Sequence, residues 1–191
     1  MKTLDIGCGG CKFKGAIGVD CIDLPGVDVV TDLNTFPWPF EANTIDRVIF
    51  KHSISHFNDI VAVMEEVNRI STNGAVIDII APHYTSDNFN TDPTHKFPMG
   101  IRSMYYFCTN IPNWKYKYSK ASFKLIKKQI CFGEYDIDFN KFEYAKRTSL
   151  LKLIGFEFLV NKFFRIYEKF FAYMIPANVV YFRLEVEKNE G

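Results

Sequence analysis

The sequence predicts an α/β domain built on a central, mostly parallel sheet with an antiparallel edge strand. Three observations predict it. Five short apolar runs in the first half are bounded by Gly, Pro or Asp, the pattern of buried parallel strands. The first runs directly into a glycine turn, Leu4-Asp5-Ile6-Gly7-Cys8-Gly9-Gly10. Near the other end, Val180, Phe182, Leu184 and Val186 alternate with Tyr181, Arg183, Glu185 and Glu187, the period of a half-buried strand.

In chain order, the expected strands are Thr3–Ile6, Ala16–Asp20, Val27–Thr31, Arg47–Phe50 and Ala75–Ala81. Between the last two, His56–Ile70 carries Ile60, Val61, Val63, Met64, Val67 and Ile70 at helical spacing. Its end is expected near Asn73-Gly74, a C-terminal signal. Strand and helix in alternation give a parallel sheet. The second half is expected to hold a strand at Ser122–Phe132, a helix-rich stretch at Thr148–Met174 and the strand Val179–Glu187. The two late strands would pair antiparallel at one sheet edge. Only Gly7–Gly15 joins the first two strands. A parallel crossover takes about a dozen residues, so any helix there is a single turn or absent.

Composition narrows the function classes. The 191 residues suit one domain with its own core. With 48% hydrophobic and 24% charged residues the chain is globular rather than disordered. A net charge of +1 announces neither nucleic acid nor an anionic membrane. No run approaches the ~20 apolar residues of a membrane span, and no signal-peptide core is present. Five cysteines at irregular spacing read as free thiols in the cytoplasm.

The glycine turn is the most informative motif. Glycines after a strand let the backbone turn sharply and approach a ligand closely. Asp20 closes the next strand, where a carboxylate can accept both hydroxyls of a ribose. The third strand ends in Thr31-Asp32-Leu33-Asn34, where a side chain can meet an adenine. The dinucleotide fingerprint fails, because its third glycine would fall at Lys12, and no P-loop pattern occurs.

Together, LDIGCGG, IGVD, VVTDLN and PWPF resemble class I S-adenosylmethionine-dependent methyltransferases. The likeness is nearest to the small bacterial enzymes of polysaccharide and lipopolysaccharide biosynthesis (methyltransferase type 11-like), and covers about residues 3–100. The resemblance implies a Rossmann-like methyltransferase fold over 1–191, with a cofactor half at about 1–82 and a substrate half at about 83–191. It implies S-adenosyl-L-methionine as cofactor and S-adenosyl-L-homocysteine as product. Asp5, Gly7, Cys8 and Gly9 match the motif that cradles the methionine part. Asp20 matches the ribose-binding acid; Asp32, Leu33 and Asn34 fall on the adenine side. Lys51 and His52 follow the fourth strand, where sulfonium and substrate meet. Two departures stand out. The sequence starts at strand one, without the N-terminal helix that often caps the cofactor. Ser55 stands where related sequences often carry Glu.

Methyl transfer to a hydroxyl often needs a base. The four histidines, His52, His56, His83 and His95, fall near the ends of strands four and five, where ligands sit in open α/β sheets. His95 in Asp92-Pro93-Thr94-His95 is the first expected base and His83 the second, with His52 as a wall of the cofactor site. No metal is expected. His52 and His56 have the spacing of a zinc pair, but no third ligand follows in H-E-x-x-H form, and Cys8-x-x-Cys11 has no partner pair.

Phe50-Lys51-His52-Ser53 lacks the [DN]-P-P-[FYW] pattern of adenine-amine methylation, which argues against DNA. From Thr94 to Gly133 there is no acid. The stretch holds Lys96, Arg102, Lys115, Lys117, Lys120, Lys124, Lys127 and Lys128, interleaved with Tyr105, Tyr106, Trp114, Tyr116 and Tyr118. It reads either as a solvated face balanced by acids elsewhere or as a surface for an anionic acceptor. Leu159–Met174 carries a wide aromatic face, read first as core packing, with a homodimer contact or membrane-surface anchor as alternatives. The expected acceptor is a small molecule or glycan, by family likeness a sugar hydroxyl. The alternatives are RNA, a small metabolite, or a non-catalytic protein on the same fold.

Overall fold

The computed structural model describes residues 1–111, 118–132 and 154–188, with the backbone alone of 137–138 and 143–144. Strands β1 (Thr3–Ile6), β2 (Ile17–Asp20), β3 (Val29–Val30), β4 (Ile45–Lys51), β5 (Ser71–Pro82), β6 (Ser122–Cys131) and a late strand (Val179–Glu187) form one sheet. Two-residue strands β7 (Ile137–Asp138) and β8 (Glu143–Tyr144) pair separately, so the late strand is β9. The order is β3-β2-β1-β4-β5-β9-β6. The first five strands run parallel, and β9 inserts antiparallel to both β5 and β6. The expected antiparallel edge is therefore present.

Chain order reverses between β1 and β4, which are neighbours in the sheet. Such a switch point opens a crevice beyond the carboxyl ends of the two strands. Ile6-Gly7 and Lys51-His52 are those ends.

One sheet face carries the main core. Leu4, Ile6, Val19, Val48, Phe50, Ile77, Ile79, Phe182 and Leu184 are fully buried there, packed with Val63, Met64, Val67 and Ile70 of helix α1 (Ile60–Ile70). Asp59 caps α1 by accepting from the N–H groups of Val61 and Ala62, two of the donors a helix start leaves orphaned. The helix stops earlier than the Asn73-Gly74 signal suggests. Ser71 is already extended, and Gly74, in the left-handed region at φ 79°, lies inside β5. There β5 steps from pairing Ser71 with Ile45 to pairing Val76 with Arg47, so the glycine serves an irregular strand rather than a helix end.

The opposite face is covered differently. No helix joins β1 to β2; the segment is a run of turns, as its length requires. Phe13 from that segment packs on Ile49, Ile80, Cys131, Val179 and Tyr181. Beside it, Asp78, fully buried, accepts from Arg47 Nε at 2.9 Å and Nη2 at 2.7 Å, from Arg183 Nε at 2.9 Å and from the Tyr181 hydroxyl at 2.8 Å. A carboxylate with two guanidinium partners satisfies the polar side of this face.

The helix-rich expectation holds for residues 156–171: α3 (Phe156–Lys162), α4 (Phe164–Ile166) and a π-turn at Tyr167–Phe171, with a short α2 earlier at Asp87–Thr91. Thr148–Leu153 lies outside the described residues. Core packing of the aromatic stretch is a correction. Val160, Tyr167 and Ala172 are buried, while Phe158, Phe163, Phe170, Tyr173 and Met174 are at least half exposed. α3 ends at Lys162, Phe163 leaves the helical conformation at φ -115° and ψ 38°, and Tyr167–Phe171 is a π-turn, so the apolar residues leave the single face an unbroken helix would give them.

Candidate functional site

A crevice of about 370 Å³ opens at the β1/β4 switch point. Gly7 and Gly9 line it from the end of β1, Asp20 and Cys21 from the end of β2, and Leu33 and Asn34 from the loop after β3. Lys51, His52, Ser53, His56 and Phe57 close it from the end of β4. Its size falls within the 300–1,000 Å³ usual for small-ligand sites.

The floor is set by the glycine turn. Gly7 and Gly9 have φ of 67° and 54°, the left-handed region that disfavours side chains. A Cβ on Gly7 would collide with the Ser53 side chain, whose hydroxyl donates to the Ile6 carbonyl and ties β1 to β4. The turn also lies over Gly18: a Cβ there would stand 2.8 Å from the Gly26 carbonyl oxygen and 2.9 Å from Cys8 Sγ. The Gly9 N–H donates to Asp20 Oδ2 at 2.8 Å, and Asp20 Oδ1 accepts from the Ile22 N–H at 3.1 Å. Lys12, at the place of the missing third glycine, reaches Asp28 at 2.5 Å, and Asp28 also accepts from the Gly18 N–H.

Asp5 sits beneath the turn. Its Oδ2 accepts from the Phe13 N–H at 2.7 Å and fixes the helix-less crossover, while its Oδ1 is buried without a hydrogen-bond partner. Burial raises its carboxyl above the usual range, against the Phe13 bond and the Lys51 charge. An orphaned buried oxygen costs about 1–3 kcal/mol unless a donor arrives. His52 also lines the crevice, with φ 61°, rare outside glycine. Burial, with the Lys51 charge beside it, pulls its imidazole down to about 4.

The expected residues divide cleanly. Gly7, Gly9, Asp20, Leu33, Asn34, Lys51 and His52 come together around the crevice. Cys8 is buried under the turn, its thiol pushed up to about 11 by burial and the nearby carboxylates. Asp32 is on the surface, holding the Asn34 N–H and the Thr35 hydroxyl. Cys21, Ser53, His56 and Phe57 line the crevice without having been assigned to it; each stands one to seven residues past the strand ends Asp20 and Phe50, already read as ligand sites.

Of the two expected bases, the structure brings only His95 near. Lys96 and Phe97 N–H donate to the Ser55 carbonyl, and Lys96 Nζ reaches Asn58 Oδ1 at 2.5 Å. These bonds dock residues 92–97 against the turn Ile54–His56. The His95 ring then lies 4.5 Å from the His56 ring, centroid to centroid, and stacks on Phe89. His83 is fully buried away from the crevice, its Nδ1 2.8 Å from the Thr85 hydroxyl, and burial pulls it down to about 4. Its Nε2 is buried without a hydrogen-bond partner, and His83 is not among the residues that line the crevice.

The basic stretch is mostly engaged internally. Lys124 pairs with Glu187 at 2.8 Å, Arg102 with Glu168 at 3.3 Å, and Lys128 contacts the Tyr105 hydroxyl and lies over the Phe164 ring. Lys115, Lys117, Trp114 and Tyr116 lie outside the described residues. A second cleft of about 900 Å³ still gathers Arg102, Arg165 and Lys169 with Tyr84, Tyr105 and Tyr106.

No protein-family model and no curated protein sequence matches the chain. Solved structures match in fold. The YcgJ protein from Bacillus subtilis superposes with a TM-score of 0.58 at 12% identity, over 98% of this chain and 92% of that one. A SAM-dependent methyltransferase from Archaeoglobus fulgidus gives 0.56 at 20% identity, over 96% and 85%. A chain solved in complex with the Trm112 methyltransferase activator of Haloferax volcanii gives 0.54 at 11%, over 98% and 83%. With the strand order above, these place the chain in the Rossmann-like methyltransferase fold. No helix among the described residues is long and apolar enough to cross a membrane.

Proposed function

We propose that this chain is an S-adenosylmethionine-dependent methyltransferase whose acceptor is a hydroxyl on an anionic sugar or cell-surface glycan precursor. One observation carries the cofactor half of the reading: the Asp20 carboxylate lines the crevice beside a left-handed Gly7-x-Gly9 turn and is held there by the Gly9 N–H. The residues fit the cofactor. Each Asp20 oxygen has lone pairs beyond its one backbone bond to accept ribose hydroxyls. Leu33 and Asn34 offer an apolar contact and an amide on the adenine side. The bare glycine turn leaves room for the methionine part.

When bound, S-adenosyl-L-methionine supplies an activated methyl group on a sulfonium. The protein's task is alignment and proton removal. His52, neutral at physiological pH, forms a wall that adds no charge beside a cationic sulfur. The Phe89 carbonyl can only accept, so the His95 Nδ1 donates, and the neutral tautomer this selects has its lone pair on Nε2. That nitrogen is the proton acceptor this reading favours.

The acceptor half rests on likeness of motif and on charge. Arg165 and Lys169 among tyrosines, in a cleft where Arg102 is paired with Glu168, suit a phosphorylated or acidic sugar. The test is transfer of labelled methyl from S-adenosylmethionine to a panel of nucleotide sugars, sugar phosphates and transfer RNA, blocked by S-adenosylhomocysteine. Labelling of acidic sugars is expected. Labelling of RNA alone overturns the acceptor. No labelling of any acceptor, alone or with an activator protein added, overturns the enzymatic reading.

A further inference from the structure

We infer that His56, Asp92 and His95 form a binding site for one divalent transition-metal ion at the rim of the crevice. Each offers one ligand atom, and the three atoms lie within 4.8 Å of one another. Two imidazoles and a carboxylate are a donor set suited to zinc, manganese or iron(II), and three protein ligands leave positions open.

The surrounding bonds prepare these groups to ligate. The Thr94 hydroxyl donates to Asp92 Oδ1 at 2.6 Å, so it accepts from His56 Nδ1, 2.8 Å away. The Phe89 carbonyl accepts from His95 Nδ1 at 3.1 Å. In the neutral tautomer these bonds select, both rings carry their proton on Nδ1 and offer Nε2 as the ligand atom. A metal-ligating histidine almost always donates its other ring N–H in this way. The Thr94 hydroxyl and N–H both bond Asp92 Oδ1, which leaves Oδ2 for an ion. Backbone bonds from Lys96 and Phe97 to Ser55 fix the two histidine-bearing segments together. The sequence hides the set: His56 and Asp92 are 36 positions apart, and no short motif joins them.

His56 lines the crevice with His52, Ser53 and Phe57, so the open positions of the ion belong to the space beside the cofactor site. The role follows from the proposed function and rests on it: with the ion bound, His95 Nε2 is a ligand in place of a base, and an acceptor hydroxyl on the ion loses its proton to solvent more readily, as water does on a divalent ion. The site itself does not depend on that reading.

The experiment is titration of chelator-treated full-length protein with Zn²⁺ by calorimetry and with Co²⁺ by visible absorption. One equivalent is expected, with Co²⁺ bands of mixed nitrogen and oxygen ligation. His56→Ala, His95→Ala and Asp92→Asn each weaken binding at least tenfold, and Thr94→Val by roughly 10–100-fold. The variant Cys11→Ser, removing an exposed thiol that does not line the crevice, leaves it unchanged. Melting curves of each variant confirm folding. No stoichiometric binding, or binding lost with Cys11 and kept without the histidines, overturns the site. S-adenosylhomocysteine is titrated into the same samples: its binding without metal binding sinks only this inference, and metal binding without it sinks only the methyltransferase reading.

Discussion

The backbone N–H of Gly9 donates to Asp20 Oδ2 at 2.8 Å, joining the turn after β1 to the end of β2. One carboxylate thus shapes the turn and faces the crevice. Asp20→Ala is expected to weaken S-adenosylhomocysteine binding at least tenfold. Asp20→Asn keeps an acceptor for Gly9 and should retain more of the turn while losing the charge. Calorimetric titration separates the three proteins; equal affinities would remove Asp20 from the ribose role.

Gly18 has no room for a side chain. A methyl there meets the Gly26 carbonyl at 2.8 Å and Cys8 Sγ at 2.9 Å. Overpacking of this kind costs about 1–3 kcal/mol. Gly18→Ala is expected to lower stability by that amount in urea unfolding and to weaken cofactor binding by displacing Cys8 and the turn above it. A variant as stable as the parent would mean the turn relaxes freely.

Asp78 holds Arg47, Arg183 and Tyr181 at the centre of the second sheet face. Removing one partner of a buried ion pair typically costs about 3–5 kcal/mol, because the other charge stays buried. Asp78→Ala should therefore unfold at markedly lower denaturant. A loss under 1 kcal/mol would show that water replaces the carboxylate there.

His83 gives the fold a pH dependence. Its folded value is about 4, against 6.5 for an ordinary histidine, so the unfolded chain takes up the proton first as pH falls. Its contribution is complete above pH 6.5 and is lost as pH falls toward 4. The size is on the order of 3 kcal/mol. Melting temperature should fall over that interval, and His83→Asn should flatten the fall. An unchanged slope in the variant would place the effect elsewhere.

Much of this was legible before the structure. Short apolar runs located β1, β2, β4 and β5, and strict alternation located β9 to the residue, because buried strands impose those patterns directly. β3 shrank to Val29–Val30, an edge pair with Val30 exposed, where little burial enforces a pattern. The end of α1 was misplaced because Gly74 signals a left-handed backbone, and a strand irregularity needs that as much as a helix end does. Crevice residues next to strand ends were readable, since topology puts those ends together. His56, Asp92 and His95 meet through a loop docked by backbone hydrogen bonds, which leave no side-chain pattern in the sequence. The aromatic residues of 156–174 read as one helical face, and the break at Phe163 with the π-turn after it scatters them.

The most direct test of the cofactor site is the melting temperature with and without S-adenosylhomocysteine. Ligand at 100 times its dissociation constant adds ~2.7 kcal/mol. For a chain of this size that is a rise of about 5–10 °C. A rise of that order, absent in Asp20→Ala, is the predicted result. No rise at millimolar ligand would contradict the account, leaving the fold without the cofactor it was read to hold.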